Sequence, residues 1–170
     1  MLAPRKVKFE AKKKMNENIA FCTFLKCNAD EEELDRQFKE LHEELFGQYD
    51  CSRCRNCCKM YSGSLSKEEL KKSAAYFDMP EKEFIDVYLV KKDGAENKYQ
   101  TKHMPCDFLN QDGSCKLDEC KPENCKKYPY TNQPGRLHSL YSVLEAVEVC
   151  PVAFEIYERL KKIYCFYESR

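Results

Sequence analysis

Twelve cysteines in a chain of 170 residues constrain this sequence more than any other feature. The densest group follows the pattern C-x-x-C-x-x-C-C, with thiols at Cys51, Cys54, Cys57 and Cys58. A C-x-x-C spacing lets two thiolates bind one metal ion while the amides of the turn point at the sulfurs. The segment 51–58 is therefore a candidate metal-binding loop.

The compartment decides whether so many cysteines form disulfides or bind metal. A disulfide scaffold needs an export signal, but residues 1–14 carry six basic side chains and no apolar run of sufficient length follows them. We therefore expect a cytoplasmic protein with reduced thiols, in which clustered cysteines serve as metal ligands.

Composition excludes several other classes. The 29 basic and 29 acidic residues cancel, which argues against nucleic acid as a partner. The longest mainly apolar stretch, Ile19–Leu25, is far shorter than the roughly 20 residues of a membrane span. Only five glycines are present, and they form no glycine-rich nucleotide loop.

Helical patterns occupy the first half of the chain. Asn28 and Glu31 are predicted to cap a helix whose apolar positions recur at helical spacing and that ends at Gly47. Ser66 and Glu69 form a capping box for a second helix. A third helix is predicted to begin at Pro80 and to end before Gly94.

Short extended segments and a last helix are predicted in the second half. We expect an extended segment at 98–103 and a small hairpin, with 106–109 and 114–117 flanking the turn 110–113. Residues 118–136 should be irregular, and 137–149 begin in a strand-like pattern. Pro151 opens the final helix.

These elements predict an α-rich α+β fold, a single small domain with a short antiparallel hairpin organised around metal–thiolate centres. Residues 1–18 are predicted to form a basic N-terminal arm and residues 19–50 a helical lead-in. The cysteine-cluster domain is expected to span 51–155, with a C-terminal helix at 151–165 packed on it.

Four more cysteines lie at positions suited to ligation. Cys106 and Cys115 stand at the two ends of the predicted hairpin, and Cys125 lies in the irregular segment that follows. Cys150 precedes Pro151 at a helix start, where the local positive potential favours a thiolate. The predicted metal ligands are thus eight in number: Cys51, Cys54, Cys57, Cys58, Cys106, Cys115, Cys125 and Cys150. Whether Cys120 or His103 also binds is left open.

The order of these cysteines resembles the YkgJ-like cysteine-cluster family, whose domain is proposed to chelate zinc or iron. The matching motifs are C-x-x-C-x-x-C-C at 51–58, C-D-F-L through G-S-C at 106–115, P-E-N-C-K-K-Y-P at 122–129, and C-P at 150–151. The resemblance covers about residues 50–155. Lys121 stands where the family usually has arginine, and Cys120 is an additional cysteine beside it.

Two groups of four thiols are one way to divide the eight. Cys51, Cys54 and Cys57 with a remote Cys150 resemble the ligands of a four-iron, four-sulfur cluster. The second set is Cys58, Cys106, Cys115 and Cys125, which suits zinc equally well. Spacing does not separate zinc from iron, because both accept four thiolates in tetrahedral geometry.

The predicted function is metal binding without catalytic residues of the chain's own. Two alternatives stay open. The chain could be an enzyme or enzyme accessory, because some longer relatives in the resembling family are flagellin lysine N-methylases. It could also be a zinc-stabilised protein-interaction module. Metal ions are the expected partners, and the sequence identifies no partner protein.

Overall fold

A computed structural model of the chain describes residues 1–91 and 98–166. Helices predominate, and one small antiparallel sheet accompanies them, which confirms the predicted α-rich α+β class. Within the described ranges, none of the helices combines the length and apolarity that a bilayer crossing requires. The elements in chain order are α1 Pro4–Lys13, α2 Met15–Asn28, α3 Glu31–Phe46, α4 Cys51–Cys54, α5 Asn56–Met60, β1 Ser64–Ser66, α6 Lys67–Tyr76, α7 Glu81–Tyr88, β2 Leu89–Lys91, β3 Lys98–Thr101, a 3₁₀ turn Asp118–Cys120, α8 Glu123–Lys127, α9 Leu140–Val147 and α10 Pro151–Ile163.

Backbone contacts group the chain into two compact units. The helical unit comprises Met1–Asp50 and Pro129–Arg170, and the cysteine unit comprises Cys51–Tyr128. The prediction that the C-terminal helix packs on the cysteine domain stays a prediction.

Helix α10 is central to the helical unit, where it packs against α1, α3 and α9. Pro151 is its first residue, as predicted, and Tyr157 is fully buried. The Tyr157 hydroxyl donates to the Asn18 carbonyl oxygen at 3.0 Å, and its ring meets that of Phe21 edge-on at 5.2 Å between centroids. Burial of large apolar side chains is therefore the main stabilising contribution in this unit.

The segment predicted as a basic arm contains a helix, α1, with a buried face. Val7 and Ala11 are fully buried although basic residues surround them in sequence. They lie four residues apart and so share one face of the helix, while the lysines occupy the others. Pro4 begins the helix at a position where its missing N–H costs nothing.

Two local predictions in the helical unit were wrong. Asp30, not Asn28, caps α3, because its side chain accepts from the Glu33 backbone N–H at 2.9 Å. Asn28 is instead the last residue of α2. The strand-like segment after 137 forms helix α9, whose buried positions recur at helical spacing: Leu140, Val143, Ala146 and Val147.

The sheet of the cysteine unit is antiparallel, with β3 between β1 and β2. Leu65 of β1 pairs with Tyr99, and Thr101 at the end of β3 pairs with Leu89 of β2. The extended segment predicted at 98–103 is thus present as β3. Gly94, the predicted limit of the third helix, lies outside the described residues.

The predicted capping box of α6 is confirmed in both directions. Glu69 N–H donates to Ser66 Oγ at 3.2 Å, and Ser66 N–H donates to Glu69 Oε2 at 2.7 Å. Leu65 and Leu70, on either side of the cap, are buried in the apolar cluster of this unit together with Phe84 and Phe108.

The predicted hairpin at 106–117 is reduced to a single antiparallel bridge between Leu109 and Cys115. Its turn is present, with Gly113 at φ 87° and the Asn110 N–H donating to the Ser114 carbonyl oxygen at 2.9 Å. Asp112 accepts from both the backbone and the hydroxyl of Ser114, an arrangement that fixes the turn by side-chain bonds rather than by long strands.

Candidate metal centre

The C-x-x-C-x-x-C-C segment forms two short helices instead of the predicted loop. Helices α4 and α5 meet at Arg55, which has a left-handed backbone at φ 49°. Such a conformation in a non-glycine residue is uncommon and recurs at functional sites. Cys51 is exposed, while Cys54, Cys57 and Cys58 are half-buried. All twelve cysteines, every one within the described residues, are free thiols.

Four cysteines from separate segments line one cavity of about 30 Å³. They are Cys58, Cys106, Cys115 and Cys125. This is the second of the two sets into which the sequence divides the ligands. The volume is close to what one water molecule occupies. The cavity thus brings together thiols that lie up to 67 residues apart (125 − 58).

Backbone hydrogen bonds hold three of these cysteines near one another. The Cys106 N–H donates to the Cys58 carbonyl oxygen at 2.8 Å, and this bond joins the segment that begins at Cys106 to α5. The Leu109–Cys115 bridge then folds Cys115 back toward Cys106. The arrangement follows from main-chain pairing and not from sulfur chemistry alone.

Cys125 lines the cavity because α8 is fixed against β1 and because Gly63 has no side chain beside the sulfur. The Asn124 amide donates to Ser64 Oγ at 2.6 Å, which fixes α8 against β1. A Cβ atom built at Gly63 would lie 3.0 Å from Cys125 Sγ. A side chain at position 63 would therefore be in tight contact with the sulfur, which would have to shift by a few tenths of an ångström.

Burial and nearby charges give the thiols of the cavity different pKa values. A hydrogen bond with Cys57, with help from the charges of Arg55 and Lys121, lowers the pKa of Cys58 to about 6 despite its burial. Burial raises the pKa of Cys106 to about 11 and the pKa of Cys125 to about 12. The site thus holds one thiol that ionises readily beside others that stay protonated unless a cation or base takes their protons.

A second cavity of about 40 Å³ adjoins the first and shares Cys58, Cys106 and Cys125 with it. Cys57 lines this second cavity, and so do Tyr61 and Tyr128, whose rings lie 5.0 Å apart between centroids. These two aromatic side chains line the cavity beside the cysteines, whereas the sequence predicts only in general that Tyr and Phe residues shield the metal.

The other predicted ligands lie elsewhere. Cys51 and Cys54 are not among the residues that line either cavity. Cys150 belongs to the helical unit, where it is the N-cap residue of α10 and is 8% exposed. In residues 1–91 and 98–166, no three or more Cys, His, Asp or Glu side chains already form a chelating group.

The two residues left open by the sequence do not line the thiol cavity. His103 Nδ1 lies 2.8 Å from Asp107 Oδ1, and its side chain is 63% exposed. Cys120 Sγ faces the Lys72 carbonyl oxygen at 3.9 Å. Each has a local contact that explains its position without a metal.

A wider polar cleft of about 640 Å³ borders the thiol cavity. Arg53, Arg55 and Lys59 supply positive charge there, and the turn 110–113 forms its other wall. Arg55 lines both spaces. A volume of this size falls within the range of small-molecule sites.

Thr101 and Gly63 line the thiol cavity although sequence reasoning assigned neither to the site. Thr101 is 4% exposed, and its hydroxyl has no hydrogen-bond partner in the described part of the chain. Each lies five residues from a cysteine of the site, outside the cysteine motifs, so motif spacing holds no signal for them.

The fold and the thiols that line the cavity define a helix-rich, cysteine-rich domain. The family model CxxCxxCC, described as "putative zinc- or iron-chelating domain", matches residues 50–151, more than half of the chain. The chain therefore belongs to this family, and the resemblance seen in its motifs is confirmed. A comparison with curated proteins gave no match, and neither did a comparison with solved structures.

Proposed function

We propose that the chain binds a single zinc or iron ion through Cys58, Cys106, Cys115 and Cys125. The observation that carries this proposal is the lining of one small cavity by four thiols from separate segments. Thiolates are the ligands that zinc and iron accept in four-coordinate sites, and membership of a family described as zinc- or iron-chelating supports the same donor set.

The number of thiols at the cavity is what one four-coordinate ion needs. Four thiolates complete the tetrahedral shell of a zinc or iron ion. A divalent ion with four thiolates carries a net charge of −2, and the nearby Arg55 and Lys121 offset it. When bound, the metal cross-links the segments that carry the four cysteines and so stabilises the cysteine unit.

The remaining predicted ligands form a second proposed set. Cys51, Cys54 and Cys57 keep the spacing of iron–sulfur ligands, and the remote C-P of Cys150 suits a fourth ligand by sequence. The proximity of Cys57 to Cys58 in the neighbouring cavity supports a second centre close to the first. An iron–sulfur cluster is the cofactor this set fits best.

A role as an enzyme or enzyme accessory is the second candidate function. The polar cleft of about 640 Å³ supports it, because a concave space with convergent charged groups next to a metal site is what a substrate needs. A closed four-thiolate ion, in contrast, serves structure alone. We place metal binding first because the lining of one cavity by four thiols supports it directly.

Metal analysis on anaerobically purified protein tests the proposal. We expect at least one equivalent of zinc or iron per chain, and an absorption spectrum that distinguishes colourless zinc from iron and, with a labile-sulfide assay, one iron from a cluster. Cys58→Ser and Cys115→Ser should each lose close to one equivalent. Cys27→Ser, at an exposed position on α2, is the matched control and should lose none.

Retention of all metal by both Cys58→Ser and Cys115→Ser would contradict the first set. The second set has its own test in Cys150→Ser, which preserves the size of the side chain but replaces a soft ligand by a poor one. We expect less metal per chain. Cys22→Ser, also buried in the helical unit, is the control and should bind metal normally.

A further inference from the structure

The hydroxyl of Thr101 is buried without a partner. Thr101 ends strand β3, where its N–H donates to the Gly63 carbonyl oxygen at 2.9 Å, so its backbone is fixed. Its side-chain oxygen has no hydrogen bond to any of the described residues. A buried polar group in this state is costly and calls for an explanation at each site where it occurs.

The surroundings of Thr101 supply that explanation. The residue lines the same cavity as the four thiols. A Cβ built at Gly63 would lie 3.8 Å from the Thr101 methyl carbon and 3.0 Å from Cys125 Sγ, so both side chains border one spot. Cys125 Sγ and the Thr101 methyl group therefore both lie beside Gly63.

A metal-bound thiolate would give the Thr101 hydroxyl an acceptor. Such a thiolate carries negative charge and accepts a strong, charge-assisted hydrogen bond. The Thr101 hydroxyl is a donor, it has no partner in the described residues, and Thr101 lines the same cavity as the sulfurs.

We propose that the Thr101 hydroxyl donates a hydrogen bond to the thiolate of Cys125 in the metal-bound protein. Thr101 is then a positioning residue that orients a ligand and moderates its charge, and it is not itself a ligand. The proposal rests on the proposed function, since it needs a metal on the thiols. Outer-shell hydrogen bonds of this type typically change metal affinity by about 10- to 100-fold when removed.

Cobalt(II) is the probe that tests this proposal, because its thiolate complexes absorb through sulfur-to-metal charge transfer. We expect Thr101→Val, which keeps the shape but lacks the hydroxyl, to bind Co²⁺ about tenfold or more weakly. Its charge-transfer band should shift to lower energy, since a sulfur without the hydrogen bond gives up electron density more easily. Thr101→Ser should retain both affinity and band position.

Ser73→Ala is the matched control. Ser73 is fully buried in α6, its hydroxyl also has no hydrogen-bond partner in the described chain, and it lines neither thiol cavity. Its removal should leave Co²⁺ affinity and spectrum unchanged. If Thr101→Val fails to fold, Thr101→Ser and Thr101→Ala decide the question, because these two variants differ only in the hydroxyl.

Two outcomes overturn the proposal. One is a Thr101→Val variant with affinity within twofold of wild type and an unshifted band. The other is equal weakening in Thr101→Ser and Thr101→Val, which would assign the effect to packing. Failure of the proposed function looks different, because the wild-type protein would then show no thiolate-to-cobalt band at all.

Discussion

The helical unit and the cysteine unit are stabilised by different means. The helical unit buries large aromatic and aliphatic side chains along five helices, among them Phe21, Phe38 and Tyr157. The cysteine unit has two helices of ten and eight residues, α6 and α7, but its other helices have four or five residues, its strands three or four, and its apolar cluster is smaller. From this difference we expect the helical unit to depend on its apolar core and the cysteine unit to gain more from a bound metal.

Metal removal should separate the two units by the largest margin. Structural zinc contributes about 10–16 kcal/mol in zinc-finger peptides, which exceeds the whole stability of many domains. With a strong chelator we expect amide exchange in 102–128 to approach that of an unfolded chain, while α3 and α10 keep their protection. Hydrogen exchange read by mass spectrometry measures both regions in one sample.

Residues 129–136 provide an internal control for that experiment. The Asp35 carboxylate accepts from the Gly135 and Arg136 N–H groups at 2.7 and 2.8 Å, so this loop is fixed within the helical unit. It should stay protected around 135–136 after chelation. Equal loss of protection in both units would remove the distinction between them.

Truncation of a core side chain in the helical unit should lower the free energy of unfolding without loss of metal from the first set. Phe38 is fully buried on α3, and Phe38→Ala is expected to cost about 3–5 kcal/mol of unfolding free energy. The equivalent of metal bound by the first set should not change, because none of Cys58, Cys106, Cys115 and Cys125 belongs to this unit. Chemical denaturation and metal analysis on the same preparation check the two statements, and a loss of metal would contradict the second.

A smaller change inside the cysteine unit tests how tightly its cavity is packed. Gly63→Ala places a methyl group 3.0 Å from Cys125 Sγ. Overpacking of this kind costs about 1–3 kcal/mol, and here we expect the loss to appear mainly as weaker metal binding. Competition with a chromophoric chelator measures it. Gly47→Ala at the C-cap of α3 is the control variant, and equal metal affinity in both variants would argue against close packing at the sulfur.

Removal of a helix cap should have the smallest effect on stability, and the same kind of substitution can be made once in each unit. Asp30→Ala removes the cap of α3, and Ser66→Ala removes that of α6. Each should cost about 1 kcal/mol. Thermal melts with and without chelator should show the Asp30→Ala loss in both states, but the Ser66→Ala loss only with metal bound. A Ser66→Ala effect that persists after chelation would mean that α6 folds without metal.

Local chemistry in the sequence was the part that could be predicted. The capping box of Ser66 and Glu69 and the start of α10 at Pro151 depend on neighbours within a few residues, and both are present in the structure. Family membership followed from the order of the cysteines, which is also a linear property.

Features that depend on distant contacts could not be predicted. Val7 and Ala11 offer too short an apolar pattern to identify a buried face, and packing against α2, α9 and α10 makes α1 part of the core. The mixed run of apolar residues before Cys150 fits a strand or a helix equally well over so short a length. Thr101 and Gly63 reach the thiol cavity through sheet pairing and close approach, which leave no trace in cysteine spacing.

X-ray absorption at the metal edge of the natively loaded protein tests the central claim most directly. A single ion held by Cys58, Cys106, Cys115 and Cys125 predicts four sulfur neighbours at about 2.3 Å, if the ion is zinc. The Cys58→Ser variant should lose this signal, and the Cys27→Ser control should keep it. A first shell dominated by nitrogen or oxygen, or one unchanged in Cys58→Ser, would contradict the claim.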